Sequence, residues 1–503
     1  MSHHNALPIS KAKHSGALIA ALDQGTTSSR TLIFNGDNQL IASSQIEFNQ
    51  SFPHNDWHEQ DANELWQSQL TSLEQALSKA GLHWSDLAGI GICNQRESCL
   101  AWQRSTGKAL TPVIVWQDRR TSQRMQALGQ QQRERLESLT GLKADSYFSA
   151  SKMEWLMAEF QLEPLAELND LCLGTIDSWL LWQLTAGQCF ATDQTNASRT
   201  LLYDIKQGAW HPELLAEFNI PGNALAEVKP SMHLYGHSHP SFGAQVPIVA
   251  MAGDQQAAAF GQGCWQPGQA KVTYGTGCFL LMPSEQMSLS RHGLLTTLAC
   301  TSGPLAYALE GSVFMGGALV QWLRDNLGII QQASDIEPLA RTVNQADDLI
   351  CVPAFAGLGT PYWDPSARGL LVGMTRATNK GHIAYACLEA IAQQCTDVLE
   401  AARADGLQLK QIRVDGGACN NDLLMQMQAD LCGLQLFRPT QSESTAQGIA
   451  WMAGLQLQLF DQQQLNGWLA TGRLFKPSLS PTKVMRKRQQ WQRALSRARD
   501  WHQ

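Results

Sequence analysis

Asp23-Gln24-Gly25-Thr26-Thr27 joins a carboxylate to a turn rich in hydrogen-bond donors. Gly25 lets backbone N–H groups approach a ligand, Thr26, Thr27 and Ser28 add hydroxyls, and Arg30 adds positive charge. Such a turn can grip phosphate oxygens. Asp23 at its edge can hold Mg2+ through water, since Mg2+ is commonly bound by one or two carboxylates plus phosphate oxygens. Taken alone, the pentapeptide reads more plainly as a polar hairpin whose aspartate bonds its own turn. A second copy alters that balance. Gly275-Thr276-Gly277 lies between the apolar runs 271–274 and 279–282, as the first turn lies between 17–22 and 31–34. Thr276 would then face Thr26 across a cleft. Gly316-Gly317 and Gly416-Gly417 each lead into a helical pattern, where a backbone can pass close over a flat ring or a phosphate. A glycine pair at a helix start serves tight packing equally well.

A second set of residues suits a polyol. Asn94-Gln95-Arg96-Glu97 follows an apolar strand, Trp116 ends Val113-Ile-Val-Trp116, and Asp254 opens Asp254-Gln-Gln-Ala-Ala-Ala-Phe260. The plain readings are a salt bridge, a core tryptophan and a helix cap. Together they supply carboxylates and an arginine for hydroxyl groups, an aromatic face for carbons, and a base within reach of an attacking hydroxyl. Neither a Walker A motif nor the protein-kinase loops occur, so any nucleotide is held in another way.

Positioning these groups calls for strands and helices in alternation. Runs 17–22 and 31–34 read as a buried strand and its return, and Leu87–Cys93 as a further strand. Asp61 and Glu64 form a capping-box pattern, Trp66, Leu70, Leu73 and Leu77 share one helical face, and Gly81 suits the C-cap. Helices are expected from Ala318, from His382 to about Ala404, and from Asn421 to about Cys432. The class is mixed α/β. At 503 residues two large domains are expected, divided near Gly261–Gly268, with a disordered tail over 1–16 and domains over 17–264 and 265–503.

Composition narrows the partners. A net charge of −7 gives no general attraction for nucleic acid, and the basic run Lys483–Arg499 reads as a solvated helix. No apolar run approaches the ~20 residues that span a bilayer. The twelve cysteines stand singly with no Cys-x-x-Cys pair, which argues against zinc, thiol redox chemistry and a secreted disulfide framework. Reduced thiols in a cytoplasmic protein are expected.

ALDQGTTSSR, NQRE, IVWQDRRT, YFSASKMEW, TNASRT, GDQQAAAFGQ, YGTGCF, ALEGSVFMGG, FAGLGTPYWDP and VDGGACNN, in order from about Ala17 to about Ala453, resemble the glycerol kinases of the FGGY carbohydrate kinase family. The resemblance implies two ribonuclease H-like domains, as in actin-like ATPases and sugar kinases, with the active site between them. It implies transfer of a phosphoryl group from ATP to glycerol, with Mg2+. By the same resemblance Arg96, Glu97, Tyr147 and Asp254 bond the glycerol hydroxyls, and Trp116 and Phe279 pack on its carbons. Gln255 lies beside Asp254, the general base. Asp23 organises Mg2+; Thr26, Thr27, Ser28, Arg30 and Thr276 meet the phosphates; Gly317, Gln321, Gly417 and Asn421 line the nucleotide site. Ser146 departs from the proline that often precedes the tyrosine. The loop Tyr235–Gln245 lacks the Gly-rich basic segment with which some members bind a sugar bisphosphate. Homodimers and homotetramers are common in the family, and no interface is legible here.

Overall fold

The computed structural model describes residues 16–343, 348–440 and 443–501, so the tail expected over 1–16 lies outside the described residues except for Gly16. Strand β1 (Leu18–Gln24) turns at Gly25 into β2 (Ser28–Asn35), and β3 (Leu40–Glu47) follows. Helix α1 (Ala62–Ala80) starts at Asp61, whose carboxylate accepts the backbone N–H groups of Asn63 and Glu64, and ends at Gly81 in the left-handed region, φ 68°. The expected capping box is only half formed. Glu64 reaches Asn49 instead of the Asp61 backbone, tying the helix start to the end of β3.

The chain re-enters the sheet as β4 (Leu87–Asn94), then as β5 (Met232–His237) and β6 (Pro247–Gly253), which runs straight into α2 (Asp254–Gly261). The six strands lie in the order β5-β6-β4-β1-β2-β3. A four-stranded sheet of 59–60, 113–114, 99–103 and 171–175, its last three strands inserted between β4 and β5 in the chain, has its own core around Phe148, Met153 and Leu156.

The second sheet holds β7 (Gln269–Tyr274), β8 (Cys278–Ser284), β9 (Leu295–Ala299), β10 (Ala306–Val313), β11 (Gln411–Asp415), β12 (Gln435–Pro439) and β13 (Gly472–Phe475). Its order is β9-β10-β8-β7-β11-β12-β13. Directions match strand for strand between β3-β2-β1-β4-β6 and β10-β8-β7-β11-β12: two antiparallel pairings, then two parallel ones. The repeated Gly-Thr turn is thus the surface sign of a repeated ribonuclease H-like domain. Helices α3 (Gly317–Asp325), α4 (Lys380–Ala404) and α5 (Asp422–Cys432) cover the second sheet.

One segment departs from the linear division at 264/265. Helix α6 (Ser444–Gln456) lies on the first sheet, where Ala446, Ile449, Ala450 and Ala453 join Ile19, Ala21, Cys93 and Val249 in one core. Gly448 and Gly261 let it meet α2 at backbone distance, since a Cβ on Gly448 would sit 1.9 Å from the Ala257 carbonyl oxygen. Apolar helix faces require a sheet face to cover, and α1 occupies only one side of β1. The basic helix α7 (Pro481–Ala498) is docked on α4 rather than freely solvated, through Lys487–Glu389, Arg488–Asp397 and an indole N–H of Trp491 on Asp397 at 2.8 Å. Among the described residues no helix is long and apolar enough to cross a membrane.

Candidate active site

Strand β4 delivers Asn94 to a tight turn that holds Glu97 at φ 60°, a backbone conformation that costs a non-glycine residue ~1–3 kcal/mol. That turn sends Arg96 and Glu97 inward, both buried. Glu97 Oε1 accepts from Arg199 Nε at 2.5 Å and lies 3.9 Å from Arg96 Nε. Burial raises the Glu97 carboxyl above its ordinary range, and Arg199 and Arg96 act against it. Arg96 Nε also lies 3.4 Å from Oδ1 of Asp254. Asp254 is the first residue of α2, one position past the cap Gly253, and its Oδ1 accepts its neighbour's backbone N–H at 2.7 Å. Its side chain is about one-third exposed, at 32%, so a substrate hydroxyl can reach it.

The four-stranded sheet places the aromatic wall. Trp116 and Tyr147 meet edge to face at 5.7 Å, and the Arg199 guanidinium stands 5.5 Å from the Tyr147 ring. The indole N–H of Trp116 donates to Thr26 Oγ1 at 3.0 Å. A residue expected on the acceptor is therefore bonded to one expected on phosphate.

The second sheet turns two unlike faces. Ala270, Val272, Tyr274, Leu280, Met282 and Ile412 point into its domain core. Lys271, Thr273, Phe279, Glu310, Ser312 and Asp415 alternate to the other face, as their cross-strand pairing requires. Glu310 reaches across to Arg96, receiving Nη1 at 2.7 Å and Nη2 at 2.8 Å. Its burial works to raise the pKa, but Arg199 and Arg96 outweigh it and hold the carboxyl down to about 2. Lys271 Nζ donates to Gln255 Oε1 at 2.6 Å. Burial lowers its pKa, opposed by Asp415 and Asp254. Phe279 is half-buried on this face, opposite Ser312.

Thr276, Gly317, Gln321, Gly417 and Asn421 line a single cavity of about 950 Å3 at the start of α3 and α5. The Gly317 N–H is tied to the Gly275 carbonyl at 2.7 Å, and Asn421 Oδ1 caps α5 through the Leu424 N–H at 2.9 Å. Gly416, at φ 85°, folds so tightly against β7 that a Cβ would lie 2.6 Å from the Tyr274 carbonyl oxygen, whereas Gly417 faces open space. On the first turn Thr27 is exposed. Ser28 stands apart: it is buried, with its hydroxyl accepting from Gln45 on β3 at 3.0 Å. Arg30 pairs with Glu443 and lies 4.0 Å from Asp23. Burial pushes the Asp23 carboxyl up to about 6, against the pull of Arg30.

Among the described residues no group of three or more His, Cys, Asp or Glu side chains is placed to cage a metal. A lone carboxylate beside a turn of hydroxyls and backbone N–H groups fits Mg2+, which keeps waters and takes phosphate oxygens as ligands.

Residues 18–261 match the N-terminal domain, and residues 270–457 the C-terminal domain, of the FGGY family of carbohydrate kinases. The chain belongs to that family. It is 49% identical over 490 residues to a glycerol kinase of Deinococcus radiodurans, across 96% of this chain and 98% of that one. It is 50% identical over 443 residues to a glycerol kinase of Shewanella amazonensis, across 87% and 90%. The crystal structure of Plasmodium falciparum glycerol kinase with ADP is similar with a TM-score of 0.90 at 30% identity, across 96% of this chain and 98% of that one. A xylulose kinase of Lactobacillus acidophilus shares the fold, with a TM-score of 0.86 at 19% identity across 95% and 97%.

In this FGGY chain three charged residues at the site escaped the sequence reading: Arg199, Lys271 and Glu310. Arg199 is fully buried, and two of its nitrogens, Nη1 and Nη2, make no hydrogen bond, although Nη2 lies 3.4 Å from Glu310. Lys271 and Glu310 sit inside apolar strand runs, and a charge in such a run was the available signal. Arg96, Arg199, Glu97 and Glu310 balance as a buried quartet, which matters because an unpaired buried charge costs several kcal/mol.

Proposed function

We propose that the chain transfers the terminal phosphoryl group of ATP to a terminal hydroxyl of glycerol, giving sn-glycerol 3-phosphate and ADP. The observation that carries this is the convergence of Arg96, Glu97 and Asp254 beside the Trp116–Tyr147 wall, with Trp116 bonded to the first phosphate turn. A three-carbon polyol offers what this patch takes: hydroxyls for the charged groups and C–H faces for the rings. Similarity to glycerol kinases across nearly the whole chain supports the same acceptor.

In the proposed reaction Asp254 accepts the proton of the attacking hydroxyl through its carboxylate. That oxygen bonds to the γ-phosphorus as the bond to the ADP oxygen breaks, and the proton later passes from Asp254 to solvent. Arg96 and Glu97 fix the acceptor, while the aromatic wall sets its distance. Thr26, Thr27, Arg30 and Thr276 would hold phosphate oxygens, and the cavity beside Gly317 and Gly417 would take the nucleoside. Asp23 would hold Mg2+ through water, and that cation supplies charge neutralisation on the phosphates. The two bodies, 17–264 together with α6 and the remainder of 265–503, would close over both ligands to keep water from the phosphoryl group.

The test is ADP release measured with glycerol, dihydroxyacetone, xylulose, ribulose, erythritol, gluconate and no acceptor. Glycerol should give the highest kcat/KM; a higher value for a pentulose, or ADP release independent of acceptor, overturns the proposal. Asp254→Asn should keep its ADP affinity and lose ~10²–10⁴-fold in kcat. Wild-type turnover in that variant would leave Asp254 without the role of base.

A further inference from the structure

Lys271 on β7 and Glu310 on β10 are each directly opposite Leu281 on β8. They therefore form one row of the sheet and leave the same face about 10 Å apart, two strand spacings. Among the described residues neither makes a side-chain hydrogen bond within its own sheet, although Asp415 on β11 stands close enough to act on Lys271 electrostatically. Glu310 takes both terminal nitrogens of Arg96, and Lys271 donates to the side chain of Gln255. Both partners meet the same atom: Arg96 Nε lies 3.4 Å from Asp254 Oδ1, and the Gln255 backbone N–H donates to that oxygen at 2.7 Å. Among the described residues Asp254 Oδ2 has no hydrogen-bond partner, so the arrangement selects which oxygen meets a substrate.

The geometry points to Lys271 and Glu310 as positioning residues, a two-point clasp by which the second domain orients Asp254. The inference rests on the phosphoryl-transfer reading above. Opening the domains separates Glu310 from Arg96 and Lys271 from Gln255 together, leaving Arg96 free to swing and Asp254 unaligned. Closure and alignment of the base then become one event, and catalytic geometry exists only when water is shut out. A bidentate Arg–carboxylate pair is well suited to this, because its two parallel hydrogen bonds fix orientation as well as distance.

The experiment compares wild type with Glu310→Gln, Glu310→Asp, Lys271→Met and the Gln/Met double variant, reading kcat, glycerol KM and ADP affinity. Glu310→Gln should raise glycerol KM and lower kcat, each about 10-fold or more, with ADP affinity within about twofold of wild type. Glu310→Asp should recover part of the kcat loss, because a carboxylate still meets Arg96. Lys271→Met should lower kcat about 10-fold, and the double variant should be no worse than the poorer single variant, as for parts acting as one unit. Equal losses in ADP affinity and turnover mark a merely structural ion pair and overturn the clasp; so do fully multiplicative single effects or wild-type kinetics. Should wild type fail to phosphorylate glycerol, the proposed function falls, and the clasp is judged by small-angle scattering of the ADP-bound proteins. A larger radius of gyration for the double variant supports it, and an unchanged radius overturns it.

Discussion

Asp23→Asn should make the nucleotide-free protein more resistant to heat above neutral pH while disabling phosphoryl transfer. The Asp23 carboxyl, 13% exposed at the end of β1, is pushed by burial from an ordinary value of 3.8 up to about 6, with Arg30 acting against the rise. A carboxyl whose folded pKa exceeds its unfolded value favours folding only while protonated. Below about pH 4 it is neutral in both states. Between 4 and 6 the unfolded chain ionises first and stability falls, and above 6 the full cost is present. The gap between 3.8 and about 6, at about 1.4 kcal/mol per pH step, is about 3 kcal/mol. An amide resembles the neutral acid, so the substitution removes that cost.

For domains of this size each kcal/mol moves Tm by roughly 2–4 °C, which puts the expected gain on the order of 6–12 °C at pH 8. Thermal unfolding is followed from pH 5 to 8.5 without nucleotide or divalent cation, since a bound cation would stabilise the charged carboxylate. The gain should grow through pH 6 and then level. Adding Mg2+ and ADP should stabilise wild type more than the variant. A variant no more stable than wild type at pH 8, or a gain that ignores pH, would refute the assignment of the burial cost to this carboxylate. The expected result also has a functional meaning: a destabilising charge kept beside the turn proposed to hold phosphate is what a trade of stability for activity looks like.

Trp116→Phe keeps an aromatic face but deletes the N–H bonded to Thr26 at 3.0 Å, worth ~1 kcal/mol net, so kcat/KM for glycerol should fall about fivefold. Combined with Thr26→Val the losses should be less than multiplicative; independent effects would break the link between acceptor wall and phosphate turn. Gly416→Ala should lower Tm, because its φ of 85° and the Tyr274 carbonyl leave no room for a Cβ. Gly417→Ala should fold with wild-type Tm yet bind ADP about 10-fold or more weakly, because its Cβ would enter the space assigned to the ligand. Unchanged ADP affinity in Gly417→Ala would move the nucleotide elsewhere.

Much of this molecule was legible in its residues, and what was not has a common cause. Apolar runs flanking Gly-Thr turns announced β1-β2 and β7-β8, since hairpin strands and their turn are neighbours in sequence. Helix α1 was readable for the same local reason, down to Asp61 and Gly81. Local pattern failed at Glu64, whose partner is Asn49 and not its own helix start. It failed again at α6, which is buried on nearly every side. A helix apolar all round must lie between layers, so the burial was foreseeable but not which sheet would supply it. Glu310 and Lys271 carry the same lesson in electrostatic form. A charge in the middle of an apolar strand demands an opposite charge or a hydrogen-bond partner, and so marks an interface before its partner is known. Glu310 finds that partner 214 positions away, at a separation where no periodicity can point. Such a residue has its register set by the strand and its identity set by the other domain, which is why the clasp belongs to the folded pair and to neither half alone.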